Sequence, residues 1–156
     1  MIEALLAGRD AVVVWPTDRG KSMCYQLLAL HERFTITGTT KVVVVVAPLI
    51  ALMKDQVDKL NALASERGEA RWAAMLHHRN WNPAQEVAVW AEGCPLVYIS
   101  EKRATAPGTL RELERLHADD RLLAIAIDEA HLISTWGARF RVEYRNLRIL
   151  RQRLGT

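Results

Sequence analysis

Cysteine is nearly missing from this chain: Cys24 and Cys94 are the only two in 156 residues, far apart and in no CxxC pair. That excludes a disulfide framework and a cysteine-built zinc site, and it fits a reducing compartment. Long hydrophobic runs are missing too. None reaches the roughly 18 residues of a membrane span. The opening MIEALLAGRD carries acid and no basic stretch, which argues against a signal peptide. No internal repeat, low-complexity tract or linker divides the chain, so one domain with a single core is expected. Neither sign of charge dominates. Lys and Arg number 21 against 18 Asp and Glu, a formal charge of +3. A pI near 9.1 admits a nucleic-acid partner without requiring one.

What is present is an alternation. AVVVW (11–15), KVVVVVAP (41–48), LVYIS (96–100) and LLAIAI (122–127) are short apolar runs, and RWAAML (71–76) is a candidate fifth. None of the first four alternates apolar with polar. Such strands belong in a sheet covered on both faces, usually a parallel one. Between them, residues 49–63 place Leu49, Leu52, Met53, Val57 and Leu60 at helical spacing. Residues 82–92 open with Asn82 as a cap and Pro83 at the first helical position. Residues 108–118 and 143–154 keep the helical period. The expectation is an α/β domain of right-handed βαβ units around a mainly parallel sheet.

Ligands of such open sheets sit beyond the carboxyl ends of the strands. After the first run comes PTDRGKS (16–22), then helical MCYQLLAL. Backbone N–H groups at a helix start favour an anion, Lys21 can reach terminal phosphates, and the Ser22 hydroxyl can ligate Mg²⁺. Thr17, Asp18, Arg19 and Gly20 complete the loop, although Asp18 and Arg19 stand where phosphate loops usually have glycine. A carboxylate about 4 Å from a phosphate costs on the order of 4 kcal/mol at an effective dielectric near 20. That is roughly a thousandfold in affinity, part of which Arg19 offsets. After the fourth run comes DEAH (128–131). Asp128 suits the magnesium, Glu129 the attacking water, and His131 a sensor of the γ-phosphate. After the second run, Pro48 opens a helix whose start, with Lys54, suits a phosphate of nucleotide or nucleic acid. Each of these taken singly also reads as an ordinary turn or helix.

Together the segments PTDRGKSMCYQLLAL, VVVAPLIALMKDQVDKL, LVYIS and IDEAHLISTWGARFRVEYRNLRIL resemble the first RecA-like domain of a RecQ-family helicase, over roughly residues 4 to 152. The resemblance implies a three-layer P-loop NTPase fold, ATP and Mg²⁺ as cofactors, and 3′-to-5′ unwinding of DNA, single-stranded or forked. It implies nuclear residence in a eukaryote and cytoplasmic otherwise. Lys21 and Ser22 would hold phosphates and magnesium, Asp128 magnesium, and Glu129 would be the catalytic carboxylate. Trp136, Phe140 and Arg141 would form the loop that meets single-stranded DNA, by stacking on a base and pairing with a phosphate. Trp72, Trp81 and Trp90 have no counterpart and are expected in the core or on helix faces.

Departures from the family pattern are Asp18, Arg19, Leu28, Ala138 and Arg139, and the missing proline after the serine of YISEKR. The family's adenine-reading glutamine and its second RecA-like domain are not among these residues. The expectation is therefore a single ATP-binding motor domain that binds MgATP weakly and hydrolyses little alone, with a second domain in cis or trans. Two rivals stay open: a non-catalytic single-stranded DNA-binding module, and a P-loop kinase of small molecules.

Overall fold

The computed structural model describes residues 2–15, 20–35, 41–78, 82–91, 93–130 and 145–155. Four parallel strands form one sheet: β1 (Val42–Val46), β2 (Ala73–Leu76), β3 (Leu96–Ile99) and β4 (Leu122–Ile127), in the order β2-β3-β1-β4. The helices are α1 (Ile2–Leu6), α2 (Lys21–Thr35), α3 (Ile50–Glu66), α4 (Pro83–Ala91), α5 (Glu101–Ala104), α6 (Pro107–Ala118) and α7 (Arg148–Leu154). Among the described residues, no helix is long and apolar enough to cross a membrane.

The side-chain period of two splits every central strand between two cores. Val43, Val45 and Ala47 of β1 and its end, with Leu96 and Tyr98 of β3, face Tyr25, Leu28 and Ala29 of α2 and Met53, Val57 and Leu60 of α3. Val42, Val44 and Val46, with Val97 and Ile99, face Val89 of α4, Leu110 and Leu113 of α6 and Leu150 of α7. Five consecutive valines are thus buried, each on its own side, and the unbroken apolar run is the signature of two covered faces. The step from β1 to β2 goes one way across the sheet with α3 on the first face. The steps β2 to β3 and β3 to β4 go the other way with α4 and α6 on the second face. Reversing direction and face together preserves a single hand of crossover.

The sequence anticipates this closely. Residues 42–46, 73–76, 96–99 and 122–127 are strands, and 50–66, 83–91 and 107–118 are helices. Asn82 accepts from the Ala84 N–H at 3.0 Å, with Pro83 opening α4. Trp72 and Trp90 are buried, one in each core; Trp81 lies outside the described residues. Asn61 of α3 was not anticipated. Its carbonyl accepts from the Trp72 and Ala73 N–H groups and its amide donates to the Ala73 carbonyl, tying the helix to the start of β2.

Two expectations are corrected. Residues 11–15 form no strand among the described elements; Val12 and Val14 are about nine-tenths exposed. Strand preference is a preference for packing against neighbours, and this segment pairs with neither edge strand of the sheet and stays exposed. β4 is not covered on both faces as β1 and β3 are. Its residues are half-buried, and Ile127 is exposed, because β4 pairs only with β1 and ends the sheet.

One buried ionic cluster locks the second helical layer. Arg103 of α5 pairs with Glu86 of α4 and donates to the Thr109 hydroxyl of α6 at 3.1 Å, and that hydroxyl donates to Glu86 at 3.0 Å. Removing one charge leaves the other to be desolvated alone. Glu86→Gln is therefore expected to cost about 3–5 kcal/mol in denaturant unfolding, and Glu86→Leu with Arg103→Met to recover most of it. Leu113→Ala, in the same core, should cost about 3 kcal/mol, against less than about 0.5 kcal/mol for exposed Val87→Ala in the same assay.

Candidate nucleotide-binding site

Parallel strands end together. Ser100 N–H donates to the Leu76 carbonyl, Ala47 N–H to Ile99 and Asp128 N–H to Val46, so one row of bonds crosses the sheet at its carboxyl rim. The residues beyond that row are His77 and His78 after β2, Ser100 and Glu101 after β3, Pro48 after β1, and Asp128 and Glu129 after β4.

The start of α2 belongs to the same rim. Gly20 takes a positive φ of 76°, which glycine adopts without a steric penalty, and α2 begins at the next residue, Lys21. Its first turn holds no acidic side chain that would oppose an anion at its N–H groups. Lys21 Nζ donates to the Trp15 carbonyl at 3.1 Å.

One turn on, Tyr25 makes the long-range contact. Its hydroxyl donates to Asp128 Oδ2 at 3.0 Å, across 103 positions of sequence. Ser22 lies one turn before Tyr25 on α2, so this bond ties the helix that carries Ser22 to the strand end that carries Asp128, the other candidate magnesium ligand. The other Asp128 oxygen, Oδ1, accepts the Glu129 N–H at 2.9 Å. Glu129 itself holds a φ of 51°, a left-handed conformation costing a non-glycine residue of order 1–3 kcal/mol and found most often at functional sites.

The donor set suits a nucleotide with its divalent cation. A hydroxyl and a carboxylate, both hard oxygen ligands, stand beside a cation-bearing helix start, which is what magnesium shared with phosphates requires. Among the described residues no three or more His, Cys, Asp or Glu side chains form a group that could hold a metal ion.

Behind these groups lies a polar network in the apolar layer. The Tyr25 and Tyr98 rings meet edge-on at 6.2 Å. Gln26 of α2 donates to the Tyr98 hydroxyl at 3.1 Å and to Gln56 of α3 at 2.8 Å. Tyr25, Tyr98, Gln26 and Gln56 were not singled out in the sequence. A signal existed for Tyr25, which sits three residues after Ser22 on one face of the helix.

The other expected residues divide. Pro48 lies at the rim, before α3, whose cap residue Leu49 makes no side-chain capping bond. Lys54 is exposed and pairs with Asp58 along the helix. Thr17, Asp18, Arg19, His131, Trp136, Phe140 and Arg141 lie outside the described residues.

Burial raises the Tyr25 phenol far above its ordinary range, with Tyr98 and the Asp128 carboxylate adding to the shift. Burial likewise raises Tyr98, against opposing hydrogen bonds from Gln26 and Tyr25. A raised pKa means that the folded state keeps protons which the unfolded state releases near pH 10. Stability is then indifferent to these phenols below about pH 10 and falls as pH rises above it. Absorbance titration at the phenolate band should show two of the three tyrosines ionising only as the chain unfolds. Tyr25→Phe with Tyr98→Phe should remove that step.

A helix start bearing Gly20, Lys21 and Ser22 is thus tied through Tyr25 to a parallel strand end bearing Asp128 and Glu129, and the whole-chain comparisons give the family of this domain. The family described as DEAD/DEAH box helicase matches residues 1–155, and the chain belongs to it. Within it the likeness is to RecQ-type helicases. The chain is 37% identical to a "Probable ATP-dependent DNA helicase RecS" of Bacillus subtilis over 99% of its length, which is 28% of that protein. It is 37% identical to "ATP-dependent DNA helicase RecQ" of Synechocystis, again over 99% of this chain and 30% of the other. It is 36% identical to "ATP-dependent helicase SGS1" of Saccharomyces cerevisiae, over 97% and 10%. The chain spans less than a third of these relatives. Its backbone also follows the crystal structure of the DUF1998 helicase MrfA with a TM-score of 0.71 at 23% identity, covering 99% of this chain and 24% of that one. The fold is RecA-like.

Proposed function

We propose that this chain is the ATP-binding motor domain of a RecQ-type DNA helicase, the first of two RecA-like domains. The observation that carries the reading is the hydrogen bond from Tyr25, one turn after Lys21 and Ser22 on α2, to the Asp128 carboxylate at the end of β4. Ser22 and Asp128 would hold magnesium, and Lys21 and the α2 start would bind phosphates. Magnesium neutralises charge that develops on the phosphates. Glu129, beside Asp128, would orient the attacking water, and His131 would register the γ-phosphate. The length of the relatives supports a second RecA-like domain elsewhere in a longer protein, closing on the same nucleotide.

DNA would run along the carboxyl rim. Pro48 and the uncapped start of α3 suit a backbone phosphate, with Lys54 adding charge one turn further. Trp136, Phe140 and Arg141 would stack on and pair with the unpaired strand, which moves 3′ to 5′. The protein would work in the nucleus of a eukaryote or in bacterial cytoplasm.

Asp18 weakens the site. Wild-type chain is expected to bind MgATP weakly and to hydrolyse little of it. Asp18→Gly is expected to tighten binding by up to about a thousandfold, and Lys21→Ala to abolish it, in calorimetric titration. Equal micromolar binding by wild type and Asp18→Gly would remove the carboxylate from the account. Salt-dependent DNA binding with no nucleotide binding in any variant would instead favour a purely DNA-binding module.

A further inference from the structure

Asp128 is the one candidate metal ligand whose carboxylate is held by a side chain from another element. We infer that Tyr25 is a positioning residue of the metal site: its phenol fixes the rotation of the Asp128 carboxylate and so sets the affinity for the divalent cation. This rests on the reading of the site given above.

The argument is geometric. A carboxylate with free rotation about its last bond presents its lone pairs in every direction. Here Oδ2 accepts the Tyr25 hydroxyl and Oδ1 accepts the Glu129 N–H. A carboxylate oxygen that accepts a hydrogen bond retains a second lone pair, so such bonds orient the group without preventing it from ligating a cation. The phenol cannot follow the carboxylate if it turns. Tyr25 is 8% exposed, and its ring stands edge-on against Tyr98 at an interplanar angle of 74°. Tyr98 is 1% exposed in β3 and is held by Gln26. β3 pairs with β1, and β1 pairs with β4, which carries Asp128. The hydroxyl and its acceptor are therefore placed by α2, β3 and β4 together. Groups that orient a ligating carboxylate typically change metal affinity ten- to a hundredfold when lost.

Electron paramagnetic resonance of Mn²⁺, titrated into the chain with a non-hydrolysable ATP analogue, reads that affinity directly. Tyr25→Phe keeps the ring and loses the donor, and is expected to weaken Mn²⁺ binding at least about tenfold. Its affinity for the analogue in EDTA should be unchanged. Val87→Ala, exposed on α4 over the opposite face of the sheet, should bind Mn²⁺ as wild type does. Tyr25→Phe binding Mn²⁺ as tightly as wild type would overturn the inference and leave the site reading standing. Tighter binding would overturn it too, showing that the phenol obstructs the cation. Wild type that holds no Mn²⁺ with the analogue would sink both. Should Tyr25→Phe fail to fold, 3-fluorotyrosine placed at position 25 of the otherwise unchanged chain decides. A fluorine shift on adding Mg²⁺ with the analogue, and none with the analogue alone, supports the inference; no shift with Mg²⁺ overturns it.

Discussion

Everything at the rim depends on parallel pairing. Antiparallel neighbours would send alternate strand ends to opposite edges, and their following residues would never meet. In this sheet β3, β1 and β4 run the same way, in the register Val46↔Ile99 and Val46↔Ile127. Three loop starts are therefore carried to one line. The crossover helices that parallel pairing demands then cover both faces, which is why the strands must be apolar throughout. A composition rule and a functional rule share one cause.

Polar groups enter this apolar layer in linked sets. Gln26 joins Tyr98 to Gln56 beneath the candidate site, with Tyr25 edge-on to Tyr98. Glu86, Arg103 and Thr109 are linked to one another beneath the opposite helices. A buried polar group without a partner costs far more than a paired one returns, so such sets are rigid by necessity. The first set ends at Asp128. Rigidity needed for burial thereby becomes rigidity at a site that must hold a small cation.

The strands are not equally covered. β1 and β3 are sealed, whereas β4 is half-buried and residues 11–15 stand exposed. Six exposed apolar groups, Val12, Val14, Trp15, Met23, Leu27 and Ile127, fall in that segment, on α2 and in β4, and Phe34, Leu49, Leu63 and Val87 are exposed on or beside α2, α3 and α4.

By itself the sequence determined what depends on local pattern. Continuous valines required a two-faced sheet, Asn82-Pro83 marked a helix start, and Asp128-Glu129 were placed at a strand end. Where pattern and neighbourhood part, it misled. AVVVW has every local mark of a strand, but pairing is decided by what packs beside a segment, which its own pattern does not record. Tertiary structure alone decided that β4 ends the sheet, that Asn61 anchors β2, and that the Tyr25 hydroxyl ties α2 to Asp128. Those facts rest on contacts between residues distant along the chain, and periodicity records only which way a side chain faces, not what it meets there.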